Sequence, residues 1–184
     1  MNDGATVSRM PRSAAAVWRR NSRMSRGRNF ARRRTAHGAS VRAVDTNVLV
    51  YAHRSDSPFH DRAASLMRNL AEGRAAWAIP WPCLYEFYSV VTSPKIYLPP
   101  SSTDQALRQI DAWLGSPSLR LLSEGVEHWT VAREVVAASR TVGPMVHDAR
   151  IAALCQANGV EELITLDRDF SRFAGLPTTG LPEL

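Results

Sequence analysis

Cysteine and lysine are nearly absent from this chain of 184 residues, which has only Cys83, Cys155 and one lysine, Lys95. Two cysteines far apart in sequence and set among apolar neighbours exclude a disulfide framework. With no CxxC pair they offer zinc no thiolate pair either. They read as two small buried residues in a chain that belongs in a reducing cytoplasm. Long apolar runs are missing too, since no segment approaches the roughly 20 residues that a membrane helix needs. The N-terminal stretch has no apolar run of the kind a secretory signal requires, and no internal repeat is visible. What is present is a hydrophobic fraction of 45%, ordinary for one globular core, on a chain long enough for a single domain and a tail.

The net charge of +6 is unevenly spread. Residues 1–42 hold eleven arginines and one acid, Asp3, a net of +10; residues 43–184 hold eleven arginines, Lys95 and sixteen acids, a net of −4. The basic pI of the whole chain is therefore a property of its start. Residues 1–40 are rich in Arg, Ser, Ala and Gly without periodic apolar positions. Such a segment cannot bury enough surface to offset the entropy of ordering, and disorder is expected there. Three readings stay open for it. It is an RNA-binding arm, a transit-like leader, or an extension set by start-site choice.

From residue 41 onward, short apolar runs alternate with longer amphipathic ones. Strands are expected at Arg42–Asp45, Ala76–Ile79, Leu119–Leu122 and Leu163–Leu166, with a last short one near Pro177–Gly180. Helices are expected at Asn47–His53 with Thr46 as cap, and at His60–Gly73, Cys83–Thr92, Thr103–Leu114, His128–Arg140 and Val146–Ala157. Pro80 and Pro82 are expected to bracket a turn before the third helix. Strands separated by helices predict an α/β fold, a parallel sheet with helices on both faces over residues 41–184. In such sheets ligands bind beyond the carboxyl ends of the strands. Asp45 and Asp167 both stand at such ends.

Four acids are set in apolar surroundings at the ends of elements: Asp45 after the first strand, Glu86 within PCLYEFYSVV, Asp148 opening HDARIAALC, and Asp167 after LITL. A carboxylate in apolar sequence is costly to bury unless it is paired or bound to a metal. Several converging on one crevice repel each other. A hard divalent cation relieves that repulsion, and oxygen donors select Mg²⁺ or Mn²⁺. The chemistry that follows is activation of water against a phosphodiester. Taken singly, each acid has an ordinary structural reading, as a helix-start charge, a turn residue or an ion-pair partner. Their joint placement is the signal.

The strings AVDTNVLVYAH (Ala43–His53), CLYEFYSV, VHDARIAALCQANGV (Val146–Val160) and LITLDRDFSRFAGL (Leu163–Leu176) resemble PIN domains, and more narrowly the VapC toxins of bacterial toxin–antitoxin pairs. The resemblance covers the whole body and leaves the tail without a counterpart. It implies a Mg²⁺-dependent endoribonuclease with Asp45 and Asp148 as metal ligands. Glu86 and Asp167 would complete the acidic site, and Thr46 and Asn47 would orient the first carboxylate. Between the two acids of TLDRDF, Asp167 matches the family position. Asp169 is expected to cap the turn into Phe170, whose ring packs on the core. The resemblance also implies RNA as substrate, a cognate antitoxin whose tail blocks the cleft, a homodimer, and residence in the cytoplasm away from membranes. Trp77, Trp81, Trp113 and Trp129 are candidates for the protein–protein surfaces. Of the cations nearest the site elements, Arg54, Lys95, Arg150, Arg168 and Arg172, one or two are expected to hold an anionic substrate.

Rival readings meet specific obstacles. A phosphatase of the haloacid-dehalogenase type wants a second Asp two residues after the first, where this chain has Asn47. It also wants a later lysine, and Lys95 is poorly placed. A PIN nuclease of RNA processing outside a toxin–antitoxin pair keeps the same site. A catalytically silent RNA-binding module does not need all four acids.

Overall fold

The computed structural model describes residues 41–183, so the expectation of disorder over residues 1–40 lies outside them. Five strands form one parallel sheet: β1 (Arg42–Val44), β2 (Trp77–Pro80), β3 (Leu119–Leu122), β4 (Glu162–Ile164) and β5 (Thr178–Thr179). Their spatial order is β3-β2-β1-β4-β5. Six helices connect them: α1 (Thr46–His53), α2 (His60–Glu72), α3 (Trp81–Val91), α4 (Thr103–Leu114), α5 (His128–Ser139) and α6 (Val146–Ala157). This is the α/β architecture that the alternation of patterns predicts. The chain winds outward from β1 to β2 and β3, then returns to lay β4 on the other side of β1. The crevice opened by that reversal lies at the carboxyl ends of β1 and β4.

Burial follows the sequence pattern. Ala43, Val44, Trp77, Ala78, Ile79, Leu163 and Ile164 are all buried, as strands covered on both faces should be. Helix α2 turns Ala63, Leu66, Met67 and Leu70 inward at helical spacing. Helix α6 buries Ala149 and Ile151–Cys155, while Val146, His147 and Arg150 at its start stay exposed. Its chain leaves through Gly159 at φ 68, a left-handed position that glycine takes without strain.

Several boundaries differ from expectation for physical reasons. Asp45, rather than Thr46, caps α1, because its carboxylate accepts from the Thr46 amide at 2.7 Å. No turn separates β2 from α3. Pro80 is the last strand residue, and Pro82 stands in the first helical turn, where its missing N–H costs nothing. Strand β4 ends at Ile164 rather than Leu166. The Thr165 amide still reaches the Thr179 carbonyl of β5 at 2.9 Å, but the two amides after it are captured by side chains, Leu166 by Asn47 Oδ1 at 3.2 Å and Asp167 by Thr165 Oγ1 at 3.0 Å. Trp77 and Trp113 are core residues and present no surface to a partner, whereas Trp129 is 69% exposed. Among the described residues, no helix is long and apolar enough to cross a membrane.

Candidate active site

Asp45 is the centre of the crevice and is only 4% exposed. Strand β1 delivers it to the switch point, where its amide donates to the Ile164 carbonyl at 3.1 Å and ties it to β4. Four groups donate to its carboxylate. The Thr46 amide reaches Oδ1 at 2.7 Å, and Cys83 Sγ lies 3.9 Å from the same oxygen. Asn47 Nδ2 and Thr165 Oγ1 both reach Oδ2 at 2.7 Å. A buried carboxylate so fully supplied with donors has one fixed orientation.

The acidity of Asp45 reports a conflict. Burial pushes its pKa up from 3.8 to about 6. The hydrogen bonds from Thr165 and Thr46 pull it down, and the charges of Glu86 and Asp167 push it up again. Asp148, in the first turn of α6, is also raised, first by burial and then by Asp167, Glu86 and Asp169, with His147 opposing. The two groups are electrostatically linked to the same neighbours, and each is short of positive charge.

All four acids, Asp45, Glu86, Asp148 and Asp167, line one open cleft of about 270 Å³ together with Thr46 and Asn47. Glu86, expected among apolar neighbours, projects from α3 as an exposed residue of the rim. Its Oε2 accepts from Thr46 Oγ1 at 2.7 Å, so the hydroxyl of Thr46 serves Glu86 while its amide serves Asp45. Asp167 is exposed. It, rather than Asp169, caps the short 3-10 turn Arg168–Arg172, accepting from the Asp169 amide at 2.8 Å. Asp169 instead accepts from Arg172 at 3.1 Å. Phe170 is buried in the core, as expected.

Thr165 was not singled out by its sequence position, yet it joins the site together. Its buried hydroxyl donates to Asp45, accepts from Asn47 Nδ2 at 2.9 Å, and accepts from the Asp167 amide. The only advance signal is a hydroxyl residue in the apolar LITL run, two places before the acid. Of the five cations near the site, three are already paired: Arg54 with Asp56, Arg150 with Glu124, and Arg172 with Asp169. Lys95 and Arg168 make no ion pair among the described residues.

The donor set suits a hard divalent cation, being made of carboxylate oxygens with unrelieved negative charge. Among the described residues, no three acidic, imidazole or thiol side chains converge tightly enough to grip an ion among themselves.

Comparison with known proteins agrees with this geometry. The PIN domain family model matches residues 42–176. Ribonuclease VapC48 of Mycobacterium tuberculosis is 32% identical over 132 residues, covering 72% of this chain and 91% of that protein. Ribonuclease VapC43 of the same organism is 35% identical over 133 residues, covering 72% and 90%. Among solved structures, VapBC2 of Rickettsia felis bound to a fragment of its promoter DNA superposes with a TM-score of 0.58 at 21% identity, covering 77% of this chain and 99% of that one. With its buried Asp45 at the switch point and a family match that spans the sheet from β1 past β4, the chain belongs to the PIN-domain family, alongside the VapC ribonucleases.

Proposed function

We propose that the chain is a Mg²⁺-dependent endoribonuclease, the VapC-like toxin of a toxin–antitoxin module, that hydrolyses RNA phosphodiester bonds. The observation that carries this reading is the buried, four-donor carboxylate of Asp45 facing Asp148, Glu86 and Asp167 in one cleft. Its relatives named ribonucleases support it.

Asp45 and Asp148 are assigned as the residues that hold the cation. Bound there, a divalent ion would lower the pKa of a water and offset charge on the phosphoryl oxygens. The chain's own groups supply the rest. Thr46, Asn47 and Thr165 hold Asp45 in one rotamer. The Thr46 hydroxyl occupies Glu86 Oε2 and leaves Oε1 to accept a proton from attacking water. Asp167 keeps Oδ1 on the Asp169 amide and has Oδ2 for the same task.

We assign two protein partners. The antitoxin occupies the acidic cleft, a reading supported by structural neighbours described as VapBC complexes. A second copy of the chain packs on the exposed rings of Tyr85 and Trp129, at 71% and 69% exposure. Sedimentation of the wild type and of Trp129→Glu tests that pairing, with the variant expected as monomer.

The decisive test is RNA cleavage by purified protein with Mg²⁺, with Mn²⁺ and with EDTA. Cleavage is expected with the metals only, and Asp45→Asn and Asp148→Asn are expected to abolish it in folded protein. Wild-type activity in either variant would sink the assignment. In cells, expression is expected to arrest growth, with relief by Asp148→Ala and by the small reading frame upstream.

A further inference from the structure

The acids account for one wall of the cleft. The other wall is made by Val50 and Tyr51 of α1, Val90 of α3, and Tyr97 from the link after α3. A phosphodiester calls for cations, whereas this wall offers apolar surface, two aromatic rings and only the phenol hydroxyls of Tyr51 and Tyr97 as polar groups. A nucleobase has two apolar π faces, and rings of this kind bind unpaired bases by stacking.

Tyr97 is built as a fixed platform. The Arg54 guanidinium lies 4.2 Å from the centroid of its ring, a cation–π distance. Arg54 is itself locked, donating to both oxygens of Asp56 at 2.8 and 2.6 Å and to the Pro99 carbonyl at 3.2 Å. Its charge is thus already met by Asp56, and its role is to back the ring rather than to clamp a phosphate. The link is pinned at both ends, by the Tyr97 amide on the Ser93 carbonyl at 3.1 Å and the Ser101 amide on the Val91 carbonyl at 2.8 Å. Two residues before the ring stands Lys95, exposed and without an ion pair among the described residues.

We infer that Tyr97, backed by Arg54, is a stacking subsite for an unpaired nucleobase next to the cleaved bond, with Lys95 meeting the neighbouring phosphate. The inference rests on the nuclease reading for the identity of its ligand. It makes single-stranded RNA the substrate form at this position, because a paired base has no free face to offer.

The test uses short single-stranded RNAs carrying 2-aminopurine at each position in turn, bound to the full chain with Ca²⁺ in place of Mg²⁺. One position is expected to show stacking quench with the wild type and with Tyr97→Phe, and none with Tyr97→Leu. The Leu variant is expected to bind about ten- to a hundredfold more weakly and to lose the same factor in kcat/KM under Mg²⁺. An abasic residue at that position should cost the wild type this factor and cost Tyr97→Leu nothing further. Wild-type binding by Tyr97→Leu, or an undiminished loss on the abasic RNA, would overturn the subsite. So would a Tyr97→Leu protein that cleaves normally but escapes its antitoxin, which would give the ring to a protein partner. Cleavage lost in Asp148→Asn but no stacking anywhere sinks the subsite alone. Stacking without metal-dependent cleavage by the wild type sinks the nuclease reading alone.

Discussion

At the scale of single residues, Asp45 carries a measurable cost. Folded Asp45 binds its proton up to about pH 6, whereas unfolded it would release it near 3.8. Between those values the folded state holds more protons, so stability is present below the lower pKa and lost as pH rises through the upper one. The difference amounts to about 3 kcal/mol. In EDTA, the melting temperature of the wild type relative to Asp45→Asn is therefore expected to rise as pH falls from 7 to 5. Mg²⁺ at pH 7 should stabilise the wild type and leave Asp45→Asn unmoved. A pH-independent difference would show that the carboxylate is not buried as described. Thr165 makes a second prediction. Thr165→Val removes a donor to Asp45 and an acceptor for Asn47 and the Asp167 amide. It is expected to cost roughly 1–3 kcal/mol and to weaken Mg²⁺ binding, while Thr165→Ser keeps both. Calorimetric titration of the two variants checks this. Asp45 and Asp148 are legible in the sequence because an acid beside an apolar run is conspicuous. Thr165 is not, since a threonine in a strand needs no explanation until its three partners are known.

At the scale of elements, α3 shows how packing sets the site. Phe87 is fully buried between the ring of His53, 5.3 Å away, and that of Trp113, 4.8 Å away. Glu86 is its neighbour on the exposed side of the same turn. Phe87→Ala is expected to cost roughly 3–5 kcal/mol and to loosen the Thr46–Glu86 contact, so that cleavage falls even where the fold survives. Ser102→Ala is the contrasting case. It breaks the capping box with Gln105 at the start of α4 and should cost about 1 kcal/mol without changing cleavage. Thermal melting and initial rates on both variants separate packing that positions the site from packing that does not. Helices α2 and α4 were both legible from their apolar spacing. The β2–α3 junction was not, because Pro80 and Pro82 carry the same local preferences in a turn as at a strand end and a helix start. The end of β4 was hidden because the Leu166 amide is taken by Asn47, 119 places away in sequence.

At the scale of the whole molecule, two properties were not equally visible. The alternation of patterns announces a parallel sheet, but not that β1 lies at its centre, because strand order depends on which crossovers bury the most surface. Charge, in contrast, can be read directly. Residues 43–184 carry a net −4 and residues 1–42 a net +10. The carboxylate cleft repels RNA, and three of the five cations near it are neutralised by acids. On the proposed nuclease reading, long-range attraction for RNA is assigned to the arginines of residues 1–42. For single strands, the logarithm of affinity falls with the logarithm of salt by about 0.7 per phosphate neutralised. The full chain is expected to show a steep slope. A chain starting near residue 38, which retains Val41 and all four acids, should show a shallower one and weaker binding at low salt. Its Mg²⁺-dependent turnover at saturating RNA should be unchanged. Coincident slopes would mean that cations from residue 42 onward carry the whole electrostatic contact, and that the arginines before residue 41 stay off the RNA.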